Sequence, residues 1–145
     1  MSIGINLELS LTKFSIMKNL LFIFAIVPLL AMNYTENASL EQITQAISSG
    51  DASALGTYFD SNVEIAVLDD EDVYSKAEAI KVVQGFFSKN KPTAFSQVHQ
   101  GTSKGNDSQY CIGNMSTGAG TFRVYVYMKT NGGNYLIQEL RFDKE

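Results

Sequence analysis

The sequence predicts an α+β fold, a curved antiparallel sheet with about three helices on one face. Two observations carry this. The first is the order of periodicities: two short helical patterns, an alternating strand and its return, one longer helical pattern, then four strand-like runs. The second is the long stretch Thr121 to Asp143, TFRVYVYMKTNGGNYLIQELRFD, whose halves alternate in polarity, are rich in β-branched and aromatic residues, and flank Asn131-Gly132-Gly133. With 145 residues, 45% of them hydrophobic, the chain suits one such domain plus a leading segment.

The leading segment reads as export machinery. Met17-Lys18-Asn19 supplies a basic start, LLFIFAIVPLLA a short apolar run, and Ala31 a small residue at its end, the pattern of a secretory signal peptide over 17–32. That run falls short of the roughly 20 residues a membrane span needs. Residues 1–16 contain Glu8 and a scatter of apolar side chains, which fits an over-extended start with Met17 as the true initiator. The domain proper is then 33–145. It carries nine Lys and Arg against fourteen Asp and Glu, a net charge of −5. That balance argues against nucleic acid and, after cleavage of the signal, against a membrane surface. The expected location is periplasmic or extracellular. Cys111 is the single cysteine, so no internal disulfide forms, and it reads as a small buried hydrophobe on a strand.

Ser39 to Gln42 forms a capping box ahead of a helix with Leu40, Ile43 and Ile47 on one face, ended by Gly50. A second short helix follows, capped by Asp51 or Ser53, with Leu55, Tyr58 and Phe59 turned inward. Asn62 to Leu68 alternates as a strand, and Val73-Tyr74 returns beside it. Between them Asp69-Asp70-Glu71-Asp72 invites a calcium reading, but a helix-loop-helix calcium site needs Gly at its sixth place and Glu at its twelfth, here Tyr74 and Ile80. A solvated acidic turn is the expectation, with no metal. Ser75 to Glu78 is a second capping box, opening a helix through about Lys89 whose Ala79, Ile80, Val82, Val83, Phe86 and Phe87 lie against the apolar face of the hairpin. Pro92 closes it. Strands at 95–101 and 109–117 lead into the hairpin.

A three-residue Asn-Gly-Gly loop is expected to pair Met128 with Leu136, Val126 with Gln138, Val124 with Leu140 and Phe122 with Phe142. That register puts Tyr125, Tyr127, Tyr135, Ile137, Glu139 and Arg141 on the outer face and leaves Gln138 as the one polar residue facing inward.

This order of elements resembles the nuclear-transport-factor-two-like (cystatin-like) superfamily, whose bent sheet wraps its helices into a cone. More closely, YFDSNVEI at 58–65, FSKNKP at 87–92, HQGTS at 99–103 and IGNMSTGAGTFRVYVYMK at 112–129 resemble a bacterial exported domain-of-unknown-function family, number four-seven-eight-three. The resemblance spans roughly Ser39 to Asp143. It implies the cone but no reaction: some members of the superfamily are isomerases and dehydratases, and many are non-catalytic binding domains.

No nucleophile elbow, phosphate loop or dinucleotide fingerprint occurs, and no cofactor is called for. The expectation is a non-catalytic exported domain that binds a small apolar ligand in its cone or a protein partner on its sheet. His99, Tyr110 and Gln138 are the candidate ligand-pocket residues, the polar end of an apolar cavity. Two alternatives stand beside it. One is an isomerase- or lyase-like enzyme using His99 with Glu64 or Glu139. The other is a structural domain that forms a homodimer through its Tyr-rich sheet face. A charged pair in a closed pocket favours the enzyme; a dry, filled interior favours self-association.

Overall fold

The structure, a computed structural model, describes residues 40–145. The expected signal peptide, the expected over-extended start and Ser39 of the first expected capping box lie outside the described residues. The elements run α1 (Leu40–Ser49), α2 (Ala52–Gly56), β1 (Phe59–Val67), β2 (Asp70–Ser75), α3 (Lys76–Lys89), β3 (Pro92–Thr102), β4 (Ser108–Thr117), β5 (Gly120–Asn131) and β6 (Asn134–Lys144). The strands form one six-stranded sheet in the order β2-β1-β6-β5-β4-β3. Every neighbouring pair is antiparallel except β1 with β6.

The helices form where their local chemistry directs. Gly50 ends α1 at φ 68°, and the Asp51 carboxylate caps α2 by accepting from Ala54 N–H at 2.9 Å. The Glu78 carboxylate accepts from both the N–H and the hydroxyl of Ser75, fixing the start of α3. Asn90 N–H donates to Phe86 O at 2.9 Å and closes it, ahead of Pro92 at the head of β3. α2 packs so closely on α3 that a Cβ on Gly56 would meet Ile80 Cγ1 at 2.3 Å; only glycine fits there.

The core lies between the helices and one face of the sheet. Phe86 and Phe87 of α3 meet Phe142 of β6 with ring centroids 4.4 and 5.8 Å apart, and Phe86 stands edge-on to Phe122 at 5.2 Å. Val63, Ile65, Cys111, Met115, Val124, Val126, Met128, Ile137 and Leu140 complete it. No polar or charged residue is buried among the described residues.

The hairpin register differs from the expected one. Asn131 pairs with Asn134, so the turn is the two residues Gly132-Gly133, both at positive φ (62° and 87°). Two successive left-handed residues match the twist of the flanking strands, which is why a glycine pair takes this place. A bulge then inserts Gln138: Met128 pairs with Ile137, but Tyr127 pairs with Glu139. The extra residue lets Ile137, Leu140 and Phe142 all face the core, and all three are fully buried. Ile137 therefore points inward, Tyr135 packs on the core, and Gln138 leaves the inner face to which uniform alternation assigned it.

Candidate functional site

The face of the sheet opposite the helices carries the exposed chemistry. On β4 the buried residues Cys111, Gly113 and Met115 alternate with half-buried Tyr110, Ile112 and Asn114, which point to this outer face. On β5 the same alternation sends Tyr125 and Tyr127 outward beside them, Tyr110 pairing with Tyr127 and Ile112 with Tyr125. The Tyr110 and Tyr125 rings lie 6.3 Å apart, and Tyr110 covers Gly101 of the edge strand, where a Cβ would meet its ring at 2.4 Å. The result is a largely aromatic strip of four side chains, two on each strand. Burial, with the Glu139 carboxylate nearby, raises the Tyr125 hydroxyl above its ordinary value of 10.0.

His99 joins this strip by a second bulge. Gln97 pairs with Gly113, but His99 pairs with Ile112, so Val98 is the extra residue and stands 61% exposed. The imidazole, expected to point into the cone, lies instead on the outer face, where its Nε2 is 2.9 Å from the Tyr110 hydroxyl. The structure thus brings together two of the three candidate pocket residues, His99 and Tyr110. Gln138 stands two strands from Tyr110 and three from His99, where its Nε2 donates to Asp60 Oδ2 at 3.1 Å. Tyr110 also borders a cleft of about 280 Å³ with Leu40 and Gln100, of which neither His99 nor Gln138 is part.

Beside the strip, on β6 opposite Tyr125 and Tyr127, Arg141 gathers three carboxylates: Glu71 at 2.7 Å, Glu139 at 3.2 Å and Glu64 at 3.5 Å. The guanidinium holds Glu71 below its ordinary range. Glu64 is pushed up, because a proton on it can be shared with the Glu71 carboxylate and because burial and Glu139 disfavour its charge. Sheet order puts Glu139 three strands from His99 and Glu64 four, about 14 and 19 Å at the usual strand spacing. A histidine-carboxylate pair working in general acid-base catalysis needs hydrogen-bond reach, so neither pair assembles here. Cys111 is buried and its thiol pushed up to about 11 by that burial, which suits a core residue rather than a nucleophile. Among the described residues no cluster of His, Cys, Asp and Glu could hold a metal ion, and no helix is long and apolar enough to cross a membrane.

The Asp60–Gln138 pair, unforeseen in the sequence, is open to test. The Ser61 N–H and the Gln138 amide hold Asp60 below its ordinary value of 3.8. A depressed folded-state value means that its contribution to stability is complete above 3.8 and is lost as pH falls through the folded value. Gln138→Leu is expected to cost about 1 kcal/mol or less, since the pair is only part-buried. It is also expected to bring Asp60 back toward 3.8, read by carboxyl NMR titration. An unmoved Asp60 titration would show that the amide does not hold the carboxylate.

A family model for the domain of unknown function DUF4783 matches residues 40–143. Among solved structures, a DUF4783 family protein from Bacteroides ovatus is 29% identical at a TM-score of 0.71, covering 75% of this chain and 97% of its own. One from Bacteroides uniformis is 27% identical at 0.70, covering 73% and 96%. An NTF-2 like protein of unknown function from Silicibacter pomeroyi, 13% identical, shares the fold at 0.54, covering 72% and 88%. No curated protein matches. The fold is the nuclear-transport-factor-two-like one, and with its model matched from α1 to the end of β6 the chain belongs to the DUF4783 family.

Proposed function

We propose that the protein is an exported, non-catalytic domain that works by pairing with a second copy of itself through the outer face of its sheet. The observation that carries this reading is the aromatic strip of Tyr110, Ile112, Tyr125 and Tyr127, a side-by-side surface on the face of the sheet opposite the helices. A two-fold axis lays the strip on itself, and Glu139 and Arg141 of β6, which pair with Tyr127 and Tyr125, border the contact. Asn114 Oδ1, closed off from solvent without a donor among the described residues, lies on the same face. The non-catalytic part of the reading is supported by the separation of His99 from Glu64 and Glu139.

Sedimentation equilibrium tests the pairing. The protein is expected to be dimeric at about 100 µM, a modest requirement for some 800 Å² buried per partner. Tyr125→Arg is expected to give a monomer with unchanged circular dichroism. A monomeric parent protein would end this reading. Export is tested separately by sequencing the N-terminus of the protein recovered from its host, where a start between Ala31 and Asn33 is expected. Recovery of intact Met1 would remove both the leader and the internal start.

A further inference from the structure

We infer that the groove between α3 and the β1–β2 and β4–β5 turns binds a single-chain anionic amphiphile, a long-chain carboxylate of the fatty-acid type. The groove lies on the helix side of the sheet, so it is distinct from the aromatic strip. It encloses about 460 Å³, within the usual range of small-molecule sites. Its floor is apolar, formed by Val67, Val82, Phe86 and Phe122. Leu68, in the left-handed region at φ 57° and 47% exposed, holds one more apolar side chain at the lip.

The charge at the rim is the reverse of the chain's. Lys81, Lys89 and Lys144 line the groove against the single carboxylate of Asp70, in a domain with an excess of acid. None of the three lysines forms an ion pair among the described residues. A patch of cations outside close ion pairs, with Glu78 one turn from Lys81, around an apolar floor complements a ligand that is apolar along its length and anionic at its end. A peptide fits less well, because its amides would lie against a floor that offers them few partners.

Gly85 gives the groove its depth. Lys81, Gly85 and Lys89 recur at every fourth residue and so share one face of α3, with an ammonium one turn to either side of the glycine. A glycine inside a helix is destabilising relative to alanine, and packing within the chain does not require this one: a Cβ there would meet nothing within 4 Å. The missing side chain leaves open the space between the two ammonium groups, where the ligand's headgroup and first carbons would lie.

Calorimetric titration of the purified protein with dodecanoate tests the inference, with dodecanol and dodecylammonium as uncharged and cationic controls. One dodecanoate per chain is expected, bound at least about tenfold more tightly than dodecylammonium. Gly85→Leu should fill the groove and weaken dodecanoate by about tenfold or more, while the thermal midpoint stays level or rises because leucine is the better helix former. Replacing Lys81, Lys89 and Lys144 together by glutamine should bring dodecanoate down to the affinity of dodecanol. The inference is overturned by absence of saturable dodecanoate binding, by equal affinity for dodecylammonium, or by full affinity in both the Gly85→Leu and the triple-glutamine proteins. It is equally overturned if an acidic amphipathic peptide displaces dodecanoate at lower concentration, which would assign the groove to a protein segment. A failed dimer test leaves every one of these measurements intact.

Discussion

Phe142→Ala is expected to destabilise the protein by about 3–5 kcal/mol. The ring is fully buried, it is the residue on which both Phe86 and Phe87 converge, and its strand lies in the interior of the sheet. Truncation removes the transfer free energy of a whole aromatic side chain. It also leaves a cavity walled on one side by a helix capped at both ends and on the other by paired strands, neither of which can collapse inward cheaply. Chemical denaturation reads the effect as a lower midpoint at unchanged slope. Arg141→Ala, one position away on the opposite face, breaks only part-exposed ion pairs and is expected to cost about 1 kcal/mol or less. Comparable losses from the two would mean that the inner and outer faces of β6 are wrongly assigned.

Ile137→Ala should cost about 2–5 kcal/mol and Leu136→Ala less than half as much. Ile137 is fully buried, whereas Leu136 is partly exposed and pairs with Lys129. The unbulged register makes the opposite prediction, since it turns Leu136 inward and Ile137 out. The comparison therefore tests the bulge at Gln138 directly, and a larger loss at Leu136 would remove it.

Those two residues also show where sequence reasoning reached its limit. The helix from Lys76 to Lys89 was legible because Ser75 and Glu78 mark its start, Pro92 follows its end, and its apolar residues repeat with a helical period. The succession of strands along the chain was legible for a similar reason, each run being bounded by turn residues, but the parallel pairing of β6 with β1 was not. Side-chain direction within the long strands was not. Two bulges, at Val98 and at Gln138, each add a residue that alternation does not count, and each moved a polar candidate, His99 or Gln138, off the inner face. A signal for the second bulge did exist, because uniform alternation left apolar Ile137 on the outer face and polar Gln138 on the inner one. For the first, nothing in Gln97-Val98-His99 separates a bulge from a regular strand. The lysine-rimmed groove was beyond reach for another reason: Lys144 joins Lys81 and Lys89 only through tertiary packing.

The place of β6 between β1 and β5 bears on how the protein is made. Until that strand arrives, the β1–β2 hairpin and the β3–β4–β5 meander share no pairing at all, and Phe86 and Phe87 have no Phe142 to close on. A folding chain therefore cannot complete its sheet piecemeal, since the strand pairing that unites the two halves spans nearly the whole domain and forms late. Fragments of the domain that end at Gly133 are expected to be digested rapidly by protease, and chains that run through Lys144 to resist it.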